Sequence, residues 1–178
     1  MKSNNKRSSR VALVMMVPTA SLWLQGCNER PELAYVYYSA QACAASPEND
    51  PAQCRLAFDE ARARHMMRAP HYPDRAECEA DFGVGGCDGE VPRMRAFLAS
   101  GVARGSTPNP NIPTQPLYQR INEPYSLRTA QGVGLPAGGG LVQVCQSAMT
   151  LAPALAVRRG GFGGEAARRA AYCQSSGG

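Results

Sequence analysis

The stretch Asp50-Pro51-Ala52-Gln53-Cys54-Arg55-Leu56-Ala57-Phe58-Asp59-Glu60-Ala61-Arg62-Ala63-Arg64-His65 reads as an amphipathic helix and sets the expected fold class. Asp50 suits an N-cap, where its carboxylate accepts from backbone N–H groups that have no intrahelical partner. Pro51 then stands at the first helical position, where a missing N–H costs nothing, and Gln53 falls three residues after the cap, as in a capping box. Cys54, Ala57, Phe58, Ala61 and His65 recur at helical spacing on one face, while Asp59, Glu60, Arg62 and Arg64 lie largely elsewhere. Pro70 ends the helix.

Outward from it, Asp74-Arg75-Ala76-Glu77 opens a second, shorter helix that Gly83 stops after Phe82. Pro92 to Val102 predicts a third, with Met94, Phe97 and Leu98 on one side. From Gly105 to Gly140 the composition changes abruptly: six prolines and few periodic apolar residues read as an extended linker. Beyond it, Leu141-Val142-Gln143-Val144-Cys145 and Ala154-Leu155-Ala156-Val157 could form a short β-hairpin, and Glu165 to Tyr172 a helical turn or two. The expectation is a mainly α protein: a small disulfide-stapled helical domain, then a long Gly/Pro-rich irregular C-terminal region with room for that hairpin. Its segments would be 1–26 (signal), 27–38 (tether), 39–104 (helical domain), 105–140 (linker) and 141–178 (C-terminal segment).

The N-terminus predicts export. Lys2, Lys6, Arg7 and Arg10 precede an apolar run of 14 residues, Val11 to Leu24, too short to cross a bilayer comfortably, which takes roughly 20. Leu24-Gln25-Gly26-Cys27 follows and looks like a lipobox. Cys27 is then the lipidation site: its thiol takes a diacylglycerol, the peptidase cuts before it, and the freed amine takes a further acyl chain such as palmitate. Each buried CH₂ adds about 0.8 kcal/mol, so two or three chains anchor the protein firmly. Asn28, in place of the Asp that retains enteric lipoproteins in the inner membrane, points to the outer membrane, facing the periplasm. Removing the signal takes four of the 19 basic residues, leaving 15 arginines against 14 acids. A nearly neutral chain has no nucleic-acid footprint, so no nucleic-acid partner is expected.

With Cys27 lipidated, Cys43, Cys54, Cys78, Cys87, Cys145 and Cys173 remain. An even number in an oxidising compartment favours disulfides, although six cysteines permit many pairings. Short loops favour Cys43–Cys54 and Cys78–Cys87, with Cys145–Cys173 by elimination. Zinc is disfavoured, because there is no Cys-x-x-Cys pair and the two histidines lack a ligand spacing.

Ala69-Pro70-His71-Tyr72, then Cys78, Phe82-Gly83 and Cys87, resembles the central motif of the YgiB-like bacterial lipoproteins (domain of unknown function 1190). The Cys43-x10-Cys54 spacing, Arg159-Gly160-Gly161-Phe162-Gly163 and the position of Cys27 resemble that family too. Cys145 and Cys173 depart from its pattern, as do His71 and a shortened middle and tail. The resemblance implies an envelope lipoprotein and supplies no catalytic residues.

Other motifs read blandly. His65 and His71 come with no placed nucleophile or orienting carboxylate, Met66-Met67 point to different helix faces, and Gly138-Gly139-Gly140 lacks a phosphate loop's Lys-Ser/Thr. No catalytic residue, metal ligand or cofactor is therefore expected. The expected function is a non-catalytic interaction or scaffold protein of the cell envelope, held to the membrane by its lipid and engaging an unknown envelope protein. The alternative is a periplasmic module binding a small molecule, peptide or metal.

Overall fold

The computed structural model describes residues 31–149 and 151. It corrects the expected fold class: the chain is mixed α/β, built on a six-stranded antiparallel sheet rather than on a small helical domain with a hairpin. The elements in chain order begin with β1 (Glu32–Tyr37), α1 (Ala40–Ala44), α2 (Pro51–Arg68) and α3 (Arg75–Phe82). A small hairpin follows, β2 (Cys87–Asp88) and β3 (Val91–Pro92). The remaining strands are β4 (Ala96–Ala99), β5 (Gln115–Tyr118), β6 (Ser126–Thr129), β7 (Gly134–Pro136) and β8 (Gly140–Val144), and α4 (Gln146–Met149) closes the order.

The main sheet runs β7-β6-β5-β4-β1-β8. Its edge strands β7 and β8 are consecutive in sequence, joined only by residues 137–139. A flat sheet of six strands would hold its edges about 24 Å apart, whereas four Cα steps reach about 14 Å at most. The sheet therefore curls into a partly closed barrel. Val36, Leu98, Leu117, Leu127, Leu135 and Val142, one from each strand, meet in a single buried cluster inside it. Ile112 and Met149 complete that core, and the buried Gln115 amide donates to the Met149 carbonyl at 2.9 Å.

On the outer face, Phe97 and Ala99 of β4 pack with Ala57 and Ala61 of α2, beside the Cys43–Cys54 disulfide that ties α1 to α2. Alanines let the helix approach the sheet closely. Asp50 caps α2, accepting from the Ala52 N–H at 2.8 Å, and Pro51 opens it.

Three expectations fail together. Pro92 to Val102 is not a helix: it holds β4, whose four residues are all buried. A strand covered on both faces has no polar alternation and mimics an apolar helical run. The stretch 105–140 is no linker, since it supplies β5, β6, β7 and the first residue of β8. Two of its six prolines sit within short strands, Pro116 opposite Phe97 and Pro136 at the sheet edge. The segment 27–38 is not all tether, because β1 starts at Glu32. Leu141–Val144 is strand as expected, but it pairs with β1. The other half of the expected hairpin lies outside the described residues, as do the helical turn at 165–172 and the Arg159–Gly163 motif.

Candidate functional site

The residues of the Tyr72-to-Cys87 motif build a small module against the end of the barrel. Asp74 caps α3 by accepting from the Glu77 N–H at 2.8 Å. Gly83 ends the helix at φ 85°, a conformation glycine adopts without strain, and donates to the Glu79 carbonyl at 2.8 Å. Cys78–Cys87 then staples α3 to the β2–β3 hairpin. The Phe82 ring stands edge-on to Tyr72 at 5.9 Å and to Tyr118 of β5 at 6.4 Å.

Alternating charges clamp this module to the sheet. Asp81 accepts from the Tyr72 hydroxyl at 2.7 Å and from Arg120 at 2.6 Å. Arg120 also reaches Glu123, which in turn accepts two bonds from Arg128 at 2.6 and 2.9 Å. Arg128 spends its remaining terminal nitrogen on the Gly132 carbonyl at 2.8 Å. The hydrogen bonds from Arg128 hold the Glu123 carboxyl below its ordinary range, against the opposing effect of partial burial. Burial, reinforced by the Asp81 contact, raises the Tyr72 phenol far above its ordinary value.

Between module and barrel lies a cleft of about 380 Å³. Phe82 and Met94 give it apolar surface, Gly85 and Gly86 a wall without side chains, and Gln119 an amide at the end of β5. Arg93 and Arg95 supply cations. Arg93 is held by Asp88, with Nε and Nη2 at 2.8 and 2.7 Å from one carboxylate oxygen. Glu79 accepts from Arg75 and from the Gly85 N–H. These arginine contacts lower both carboxyls. The Arg95 guanidinium lies over the Tyr38 ring, 5.6 Å from its centroid.

The sequence-predicted site residues fall as follows. Cys43 bonds Cys54 and Cys78 bonds Cys87. Cys145 is also disulfide-bonded, and its partner lies outside the described residues. Cys27 and Cys173 are outside them too. His65 places Nδ1 3.0 Å from the buried Tyr118 hydroxyl. His71 is exposed, as are Met66 and Met67. No group of three or more His, Cys, Asp or Glu among the described residues could hold a metal, and no described helix is long and apolar enough to cross a membrane. Sequence reasoning missed Arg95, Tyr38 and Gln119. Their only shared signal is position near the ends of strands, and by sequence those strands resemble helix, tether and linker.

A family described as "Protein of unknown function (DUF1190)" matches residues 31–173. A UPF0441 protein of Serratia proteamaculans is 28% identical over 194 residues, covering 96% of this chain and 88% of that one. UPF0441 proteins of Yersinia enterocolitica and Klebsiella pneumoniae are 24% and 27% identical, covering 96% and 93% of this chain and 87% and 85% of their own. No solved structure matches.

Proposed function

The chain belongs to the DUF1190 family, proteins of unknown function, and from that premise we propose a lipid-anchored envelope protein of the YgiB-like kind, which binds a neighbour in its cleft and catalyses nothing. The cleft carries the proposal. Its walls are pinned by Cys78–Cys87 and by the Asp81–Arg120 pair, so little ordering remains to be done on binding. Leu24-Gln25-Gly26-Cys27 supports the anchor. From Cys27 to the start of β1 at Glu32 the chain reaches at most about 18 Å.

The domain then rides against the bilayer on its periplasmic side, with Asn28 favouring the outer membrane. Residues 105–140 belong to the barrel and offer no reach, so the partner is a close neighbour whose effective concentration the shared membrane raises. A free small molecule or short peptide in the same cleft is the second reading, favoured by the cleft's size.

In-cell photo-crosslinking tests the role. A photoreactive residue replaces Val84, which is 97% exposed beside the cleft wall, or Arg55 on the exposed side of α2 as a control. Cross-linked products specific to position 84, lost in Cys27→Ser, are expected, with clickable fatty acid on wild type only. Identical products from both positions would remove the cleft, and equal fatty-acid label on Cys27→Ser would remove the anchor.

A further inference from the structure

We propose that the cleft binds a carboxylate attached to an apolar group, with Arg95 reading the charge; this rests on the cleft being the binding surface. The bordering charges are already answered, Asp88 by Arg93 and Glu79 by Arg75. Arg95 forms no ion pair among the described residues and leaves the cleft one net positive charge. Its guanidinium carbon lies over the Tyr38 ring, within cation–π range. The platform is itself fixed: the Tyr38 hydroxyl donates to the Ala137 carbonyl in the β7–β8 connection, and its ring edge stands 3.7 Å from where a side chain on Gly139 would begin. A ring contact of this kind uses none of the five guanidinium N–H donors in an ion pair, and their fork matches a carboxylate in bidentate geometry.

The rest of the cleft sets the other half of the ligand. Phe82 and Met94 offer apolar and aromatic contact. Gln119 has its amide N–H₂ on the Pro124 carbonyl at 2.8 Å, which leaves its oxygen as an acceptor. A volume of about 380 Å³ suits one aromatic or branched side chain with its carboxylate. The same chemistry occurs in a free aromatic acid and at a peptide's C-terminal residue.

Amide NMR titrations of the full-length chain separate these cases. The probes are 3-phenylpropionate, 3-phenylpropanamide, and acetyl-Ala-Phe with either a free carboxylate or a carboxamide. The acids are expected to shift Gly85, Gly86 and Met94 and to bind about tenfold more tightly than the amides. Arg95→Gln should erase that difference while leaving resonances elsewhere in place, Arg95→Lys should keep part of it, and Arg55→Gln should keep all of it. Tighter binding of the peptide acid makes the source a chain terminus, and tighter binding of phenylpropionate makes it a free acid. Amides binding as well as acids, wild-type acid affinity in Arg95→Gln, or no shift in the cleft at millimolar probe would each overturn the inference. None of these would touch the cross-links from position 84, which judge the cleft as a partner surface on their own.

Discussion

His65 sits in the last turn of α2 with its ring 5.8 Å from that of Tyr118 and its Nδ1 on the phenol. Burial lowers its pKa from the ordinary 6.5, against a raising effect from Asp88. The folded chain therefore keeps this imidazole neutral at a pH where the unfolded chain has begun to protonate it. Stability is full above about 6.5 and is lost as pH falls from there through the lowered value. Urea midpoints should thus drop between about pH 7 and about pH 5, and His65→Gln should flatten that slope. An equal slope in the variant would put the proton elsewhere. The inward placement of His65 was legible from its spacing after Cys54 and Ala61. Its partner was not, since Tyr118 lies 53 residues away in a run whose prolines disguise a strand.

At the scale of elements, α2 and α3 begin where Asp50 and Asp74 place them, because capping is settled within four residues. The clamp that seats α3 was illegible for the opposite reason. Asp81, Arg120, Glu123 and Arg128 look like scattered surface charges until β5 and β6 bring them together. Arg128 and Glu123 are 10% and 24% exposed in their side chains, so removing one strands its partner only partly dehydrated. Glu123→Ala should cost about 2–3 kcal/mol, less in Glu123→Gln, which keeps an acceptor. Urea unfolding with unchanged m-values checks this. A loss below about 0.5 kcal/mol would class the pair with ordinary surface ion pairs. The cleft is half legible: Phe82, which lines it, and Cys87, which pins its wall, belong to the quoted motif, while Arg95 depends on a strand whose apolar run mimics a helix.

Across the whole molecule, the sheet escaped the sequence because its strands run only three to six residues and β4 and β5 are buried on both faces. Such segments carry no period of two. Two disulfides brace the α1–α3 region among the described residues, and Cys43–Cys54, 11 residues apart, holds the paired helices against the outer face of the barrel. Replacing both cysteines with serine should destabilise by about 2–3 kcal/mol. Thermal melts of wild type and variant, with and without reductant, check it; reductant should lower the wild type toward the variant. The register has a further effect on how the protein is made. β1 pairs with β8, Val36 opposite Gly140, so one of the first strands synthesised waits about 100 residues for its neighbour, and folding governed by such distant contacts is slow. A nascent chain that has emerged only as far as α3 can protect neither edge of β1. A premature stop shortly before residue 140 would be as ruinous as one near the middle, leaving a barrel without its closing stave to the proteases of whichever compartment receives it.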